Sequence, residues 1–532
     1  MEKMESSKAA KIIRIHALDT VAVALKPLEK GEIAANEDAT GGDFAGAPLV
    51  CVDDIPGGHK IALKDIEQGE KIVKYGHPIG KASQFIPAGA HVHTHNIQTL
   101  LAETPEYHWT PPQIASRQGA GAKALMDSNA SDALASPAAP EIKVFKRRDG
   151  RIGVRNEVWI VPTVGCVNGA AETLASWASR EYADRNIGGV FAWTHPYGCS
   201  QMGGDHEATR AILADLVKHP NAGAVLVISL GCENNTIGRF KEALDEYAED
   251  PRRIRFLVTQ ESEDEIADGK AMIRELVSYA EQAKREKTPV SSLVVGMKCG
   301  GSDGFSGITA NALVGRLCDM LTGMGASVIL TETPEMFGAE RMLMDRCETK
   351  EVFDKTVRLI NGFKEYFRSH NQTVYENPSP GNKAGGISTL EDKSCGCVQK
   401  GGSAIVRGVY RYGERLPPDA EGLVLLEGPG NDIVSTTAMT AAGAHLILFT
   451  TGRGAPLGAP VPTLKIASNS ALARKKPAWI DFDAGRMLSE PVNAVRDELF
   501  HLLLDTVNGT IVTRNELNNY REIAIFKNGV TL

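Results

Sequence analysis

Apolar positions fall into two regimes along the chain. Over residues 12–97 they form short runs punctuated by glycine. Residues 12–16, 21–25, 61–63 and 72–75 are predicted as strands, broken by Gly57-Gly58, Gly69 and Gly76. This predicts a small β-rich domain that ends in His91-Val92-His93-Thr94-His95-Asn96. From Val144 onward the pattern changes. Apolar runs of strand length at 158–163, 188–193, 224–229, 292–296, 328–331 and 445–450 alternate with helical stretches such as 209–219, 270–287 and 351–370. Strands alternating with helices predict parallel βαβ units. Between the regimes, 111–140 is rich in Ala, Ser, Gly and Pro with no sustained period, as in a tether. The expected organisation is a β-rich domain at 11–97, a linker at 98–141, a central α/β domain at 142–287 and a second α/β domain at 288–532.

Composition narrows the function classes. The chain has 532 residues, 42% hydrophobic and 23% charged, as in soluble globular proteins of several domains. A net charge of −8 argues against nucleic acid as a partner. No apolar run approaches the roughly 20 residues that span a bilayer. The first residues are polar, without the apolar core of a signal peptide, so a cytoplasmic location and no membrane partner are expected. Nine cysteines, an odd number, scattered over a long chain do not suggest a disulfide framework.

Several segments carry candidate chemistry. On a strand His91, His93 and His95 would share one face, and imidazole suits iron, zinc and copper. The bland alternative is a solvated polar edge. Cys166, Cys199, Cys232 and Cys299 each follow a predicted strand, where open parallel sheets bind ligands. They read as small buried hydrophobes, as a thiolate-held iron centre or as the lining of a substrate pocket. None belongs to a CxxC pair, which favours the pocket over a cluster. Cys395-Gly396-Cys397 is closer spaced, without identifiable partners. The turn Lys298-Cys299-Gly300-Gly301-Ser302-Asp303 precedes a helix and offers backbone N–H groups to an anion, unless it is only a tight turn. Glu332 and Glu335 are candidate metal ligands or proton-transfer groups, or simply acids at a helix start. The proline-bounded loop that carries Asn382 and Lys383, and Arg453 in Thr451-Gly452-Arg453-Gly454, present groups suited to a carboxylate. Either could also be an ordinary exposed loop.

These segments together resemble the altronate dehydratase branch of the altronate/galactarate dehydratase family. The resemblance rests on Ile15-His16-Ala17-Leu18-Asp19, Gly58-His59-Lys60, residues 91–96, Thr163-Val164-Gly165-Cys166-Val167-Asn168-Gly169 and Tyr197-Gly198-Cys199-Ser200-Gln201. It extends through Gly231-Cys232-Glu233-Asn234-Asn235, Cys299-Gly300-Gly301-Ser302-Asp303-Gly304, residues 334–340, 377–386 and 451–454, and the C-terminal 525–532. A short N-terminal extension and the long linker depart from the pattern without touching a motif.

The resemblance implies an N-terminal SAF domain of β-clip type, a central dimerising domain and a C-terminal catalytic domain. It implies a hydro-lyase that converts D-altronate to 2-dehydro-3-deoxy-D-gluconate, as a homodimer acting on a small-molecule sugar acid. Fe²⁺ is the expected metal, with Mn²⁺ as the alternative and an iron–sulfur cluster left open. For this chemistry the candidate catalytic residues are Glu332, Glu335, Lys298 and Asp303. Arg453, Lys383, Asn382, Cys199, Cys232 and Cys299 are expected to bind substrate, and His91, His93, His95 and His16 to bind metal. The rival readings are galactarate dehydration or a related hydroxy-acid lyase, and a non-catalytic sugar-acid sensor.

Overall fold

The computed structural model describes residues 10–35, 48–101, 106–111 and 140–529. Most of the linker expected at 98–141, and residues 530–532 of the C-terminal motif, lie outside the described residues.

Short antiparallel strands build the N-terminal domain. Ile12–Ile13, Val21–Ala24, Lys60–Ala62 and His91–Val92 form one sheet, and Lys71–Lys74, His77–Ala82 and Ile97–Gln98 another. Val23, Ala62, Ile79 and Val92 are fully buried between them. Tyr75 and Gly76, both at positive φ, make the two-residue turn between Lys71–Lys74 and His77–Ala82. A Cβ on Gly76 would meet His16 Nδ1 at 2.8 Å, so the turn closes over that imidazole.

The central domain is a parallel sheet whose spatial order is Val190–Ala192, Glu157–Pro162, Ala222–Ser229, Ile254–Val258. Glu157–Pro162 is buried along its whole length, which explains its unbroken apolar run. Its side chains alternate between two layers. Val158 and Ile160 pack on Leu174 and Ile273, from helices Asn168–Glu181 and Glu265–Ala280. Trp159 and Val161 face Ile212, Leu216 and Phe240, from helices Gly203–Lys218 and Ile237–Leu244. The helix expected over 270–287 stops at Ala280. Arg285–Pro289 is instead a strand paired antiparallel with Glu141–Lys146, where Lys287 and Glu141 form an ion pair at 2.7 Å. A charged stretch reads as a solvated helix face until its partner strand is known.

The C-terminal domain holds a seven-stranded parallel sheet ordered Val406–Tyr410, Gly422–Leu426, Ser327–Leu330, Val294–Cys299, Leu446–Thr451, Thr463–Ala467, Phe482–Asp483. The chain leaves Val294–Cys299 toward Ser327–Leu330 on one side and later returns to place Leu446–Thr451 on the other. The strand order therefore reverses beside Val294–Cys299, and ligands bind at the carboxyl ends of strands at such a reversal. No helix among the described residues is long and apolar enough to cross a membrane.

Candidate active site

Two groups of metal-competent side chains meet the segment 377–386 from opposite domains. The first is imidazole. The strand that begins at His91 stops after Val92, because Asn96 turns the chain. Its Oδ1 accepts from His93 N at 2.9 Å and its Nδ2 donates to His91 O at 2.8 Å. The three-histidine strand face expected from alternation is therefore not formed. His91 and His93 still stack, with centroids 5.4 Å apart, and the third member is His59, whose Nδ1 lies 3.0 Å from His91 Nε2. Donor atoms of His59, His91 and His93 all lie within 4.8 Å of one another. His95 touches His91 only ring to ring, and His16 sits under the Tyr75-Gly76 turn, so neither joins this group.

Burial lowers all three, His91 to about 4 and His93 to about 3, so the imidazoles are neutral and able to donate lone pairs. His93 Nδ1 is buried without a hydrogen-bond partner. A neutral trio with one orphaned nitrogen suits a divalent transition metal. Sequence reasoning missed His59 as a ligand, although Gly58-His59-Lys60 was one of the matching motifs. His59 Nε2 and Lys60 Nζ reach the backbone of Ala384 and Gly386, at 3.4 and 2.7 Å, which seats the β-rich domain on the C-terminal domain. Lys60 and Lys74 also clamp Asp392 at 2.7 and 3.0 Å, all three buried.

The second group sits at the carboxyl edge of the seven-stranded sheet. Cys299, at the end of its strand, places Sγ 3.3 Å from Cys397 Sγ and 2.9 Å from Glu335 Oε2, and Cys397 Sγ is 3.1 Å from the same oxygen. Lys393 pairs with Glu335 Oε1 at 2.8 Å. Behind them Lys298 pairs with Glu332, and with Asp432 at 2.8 Å, while Cys299 N donates to Glu332 Oε2 at 3.0 Å. Glu332 is held at φ 70°, a costly left-handed conformation for a residue with a side chain.

The buried charges nearly compensate. Burial opposes ionisation of Glu335, but Lys393, Lys298 and Lys400 outweigh it and hold the carboxyl well below its usual range. Glu332 goes the other way, raised by burial and by Cys299 and Glu335. The hydrogen bond with Cys397 is the main cause that lowers Cys299 to about 6, and it raises Cys397. Cys299, Glu335 and Cys397 thus share protons as one unit. A cavity of about 540 Å³ opens onto Cys299, Glu335, Lys393, Lys383 and Asp432, and residues 376–380 line its far side. That volume suits a six-carbon acid. A larger groove of about 650 Å³ on the central domain, lined by Glu172, Arg180 and Arg521, is away from both groups.

The other expected residues divide by what they contact. Lys383 lines the cavity. Arg453 is exposed at its rim and donates to Gly381 O at 3.0 Å. Asn382 stitches the loop, donating to Ser302 O at 2.8 Å and accepting from Ser379. Asp303 accepts from Ser306 twice, from Ser468 and from Asn469, at 2.8–2.9 Å, which commits both oxygens to fixing the glycine turn rather than to proton transfer. Cys397 stood out only by its spacing to Cys395 and Lys393 not at all, because their partners lie far away in sequence. The four strand-end cysteines do not share one site. Cys299 is buried in the C-terminal domain, whereas Cys166, Cys199 and Cys232 are exposed at the carboxyl edge of the central sheet.

Known proteins match this chain along its length. Residues 10–100 match the family described as Altronate/galactarate dehydratase SAF domain. Residues 144–281 match D-galactarate dehydratase/Altronate hydrolase, second domain, and residues 290–531 match D-galactarate/Altronate dehydratase, C-terminal. The chain is 47% identical to an altronate dehydratase of Escherichia coli (strain K12) and 49% identical to one of Bacillus subtilis (strain 168), in each case over 98% of this chain and 99% of the relative. A galactarate dehydratase (L-threo-forming) of Escherichia coli is 30% identical over 99% of this chain and 98% of its own. Matches to whole enzymes do not favour the sensor reading. The chain, an enzyme of the hydro-lyase class with a β-rich SAF domain ahead of two parallel α/β domains, belongs to the altronate/galactarate dehydratase family.

Proposed function

We propose that the protein dehydrates D-altronate to 2-dehydro-3-deoxy-D-gluconate. The carrying observation is the cavity at the sheet's carboxyl edge, where Cys299, Glu335 and Lys393 converge, in a chain about half identical to altronate dehydratases across its length. The substrate carboxylate sits against Lys383 and the rim guanidinium of Arg453. The proton on C2 passes to the Cys299–Glu335 pair, the group poised closest to neutral pH. Negative charge then spreads onto the carboxylate, where the ammonium of Lys393 stabilises it. The hydroxyl on C3 leaves as water with the proton that the Cys299–Glu335 pair took from C2, which restores the pair, and the enol ketonises to the 2-keto acid.

His59, His91 and His93 are the residues we assign to a divalent metal, Fe²⁺ with Mn²⁺ as the alternative. When bound, such an ion supplies Lewis-acid stabilisation of anionic oxygen. Lys298 and Glu332 act by holding Cys299 in place rather than by touching substrate. We also read the protein as a cytoplasmic homodimer, to be checked by light scattering and cell fractionation.

The deciding experiment supplies purified protein and Fe²⁺ with D-altronate and, in parallel, with galactarate, and follows 2-keto acid. Turnover of D-altronate in preference is expected. Preference for galactarate would move the protein to the other branch, and no turnover of either acid would end the reading.

A further inference from the structure

The central domain carries a site that the dehydratase chemistry above does not use. Three adjacent parallel strands, Val190–Ala192, Glu157–Pro162 and Ala222–Ser229, each lead at the carboxyl end into a glycine followed by a cysteine: Gly198-Cys199, Gly165-Cys166 and Gly231-Cys232. The protein's other six cysteines are buried, and these three are exposed. Cysteine is normally among the most buried residue types.

The three loops are tied to one another. Gly165 N donates to Tyr197 O at 2.8 Å, which joins the first loop to the second. Ser200 N donates to Asn234 Oδ1 at 3.0 Å and Asn235 N to Gly198 O at 3.3 Å, which join the second to the third. Thr163 Oγ1 donates to Glu233 Oε1 at 2.7 Å and Asn235 Nδ2 to Thr163 O at 3.2 Å, which join the third back to the first. Gly198 is pressed so close that a Cβ would lie 2.1 Å from Thr163 O, and Ser200, beside Cys199, sits at φ 57°. This is a rigid, strained frame with a thiol on each arm.

Each of these loops also carries, within three residues of its cysteine, a polar atom with nothing to bind. Asn168 Oδ1, Gln201 Nε2 and Asn235 Oδ1 are all buried and lack hydrogen-bond partners. Gln201 and Asn235 are at most 3% exposed. An unmade hydrogen bond on a buried amide costs about 1–3 kcal/mol. Three of them in the three linked loops that carry the thiols mark a place built to receive a polar guest.

We propose that Cys166, Cys199 and Cys232 hold an iron–sulfur cluster of the [4Fe–4S] type, with three protein thiolates and one iron left open. Thiolates are the usual ligands of such clusters, and each thiol releases its proton on binding. A single ion and a cluster ask different things of the three thiols. Sulfurs sharing one tetrahedral ion at ~2.3 Å stand about 3.8 Å apart. Among the described residues the three-membered donor groups closed to within 4.8 Å are the His59 and Cys299 groups, and this triad is not one of them. A cluster carries each thiolate on a separate iron and so accepts wider spacing. The open iron would take an oxygen ligand such as water, with Asn168, Gln201 and Asn235 as the neutral hydrogen-bonding groups of the same loops. The site lies in a different domain from the His59 group and is independent of the dehydratase assignment.

The test uses the full chain purified without oxygen, then reconstituted with equal amounts of Fe²⁺ and Fe³⁺ and with sulfide, which supplies the mixed valence of the 2+ core. About four iron and four acid-labile sulfide per chain are expected, with broad visible absorbance that air bleaches. Cys166→Ser, Cys199→Ser and Cys232→Ser should each lose the labile sulfide, while Cys299→Ser and Cys347→Ser keep it. Alkylation mapped by mass spectrometry reads the same site without substitution: Cys166, Cys199 and Cys232 should be protected in the reconstituted protein and reactive after the cluster is stripped. Absence of labile sulfide, zinc alone on the triad, or unchanged alkylation of the three thiols would each overturn the proposal. These readouts do not depend on which sugar acid is turned over.

Discussion

Two sheet edges in this protein each place cysteine next to glycine at the carboxyl ends of parallel strands, and they end in opposite environments. At the C-terminal edge Cys299 is buried among Glu332, Glu335, Lys298, Lys393 and Lys400, where each charge has a partner. At the central edge Cys166, Cys199 and Cys232 face solvent, and buried amides in their loops are left unpaired. Low dielectric strengthens electrostatics at the first edge, which suits proton transfer. The second offers soft ligands and vacant hydrogen-bonding capacity. A cysteine's chemistry is set less by its local motif than by what the fold places over it.

The sharpest way to break this comparison is to neutralise the buried edge. Glu335→Gln keeps the shape but removes the carboxylate that accepts from both thiols. If proton transfer runs through this unit, kcat should fall about 10²–10⁴-fold with the fold intact by circular dichroism. Near-wild-type kcat would move the chemistry away from the C-terminal edge.

The next largest effect is on stability. Asp392 is the anion that Lys60 and Lys74 share across the domain contact, and burial works against it, but the two lysines hold it ionised. Asp392→Ala would strand two buried ammonium groups, at a cost of about 3–5 kcal/mol. Thermal unfolding should show the β-rich domain loosening from the C-terminal one. An unchanged melting profile would mean that the contact at 384–386 alone holds the domains together.

Acid should separate the two candidate metal-competent groups. With Cys299 near 6, the unit holds its proton below that pH, so kcat/KM should fall as pH drops through 6, by about tenfold per unit. The histidines stay neutral further down, near 4 for His91 and 3 for His93, so bound metal should persist over that interval. For stability, imidazoles lowered from 6.5 in the fold add nothing above that value. They destabilise the fold as pH falls from 6.5 toward 4, where the unfolded chain takes up protons that the native state refuses. Metal lost in step with activity between pH 6 and 5 would contradict the separation.

Much of this was legible in the chain. Buried parallel strands wrote themselves as apolar runs, and the helix expected at 351–370 is Lys350–Ser369. Strands Val406–Tyr410, Gly422–Leu426 and Thr463–Ala467 were not read, since short apolar runs without flanking motifs do not declare a sheet position. Glu332, Glu335, Lys298 and Cys299 were found as separate residues, but their contact was not. Cys397 is 98 residues from Cys299 in sequence, and no local period links them. The histidine motif misled through its regularity. Alternation implied three equivalent imidazoles, while Asn96 bends the chain and a histidine 32 residues earlier completes the group.

The smallest expected effect lies at the rim of the buried edge. Arg453 is exposed, lies against Gly301 and donates one N–H to Gly381 O at 3.0 Å, which leaves other guanidinium donors for substrate. A carboxylate gains charge as the proton on C2 departs, so a forked contact strengthens toward the transition state. Arg453→Lys keeps the charge but loses both the fork and the planar fit to a carboxylate. Because the pair is solvent-exposed, the loss should be modest, about tenfold in kcat/KM, or about 1.4 kcal/mol. Lys383 deeper in the cavity should then dominate binding, with Lys383→Ala raising KM more than Arg453→Lys does. If Arg453→Lys instead matched wild type while Lys383→Ala lost binding, the carboxylate would sit wholly inside the cavity. The rim arginine would then serve only to hold the loop at Gly381.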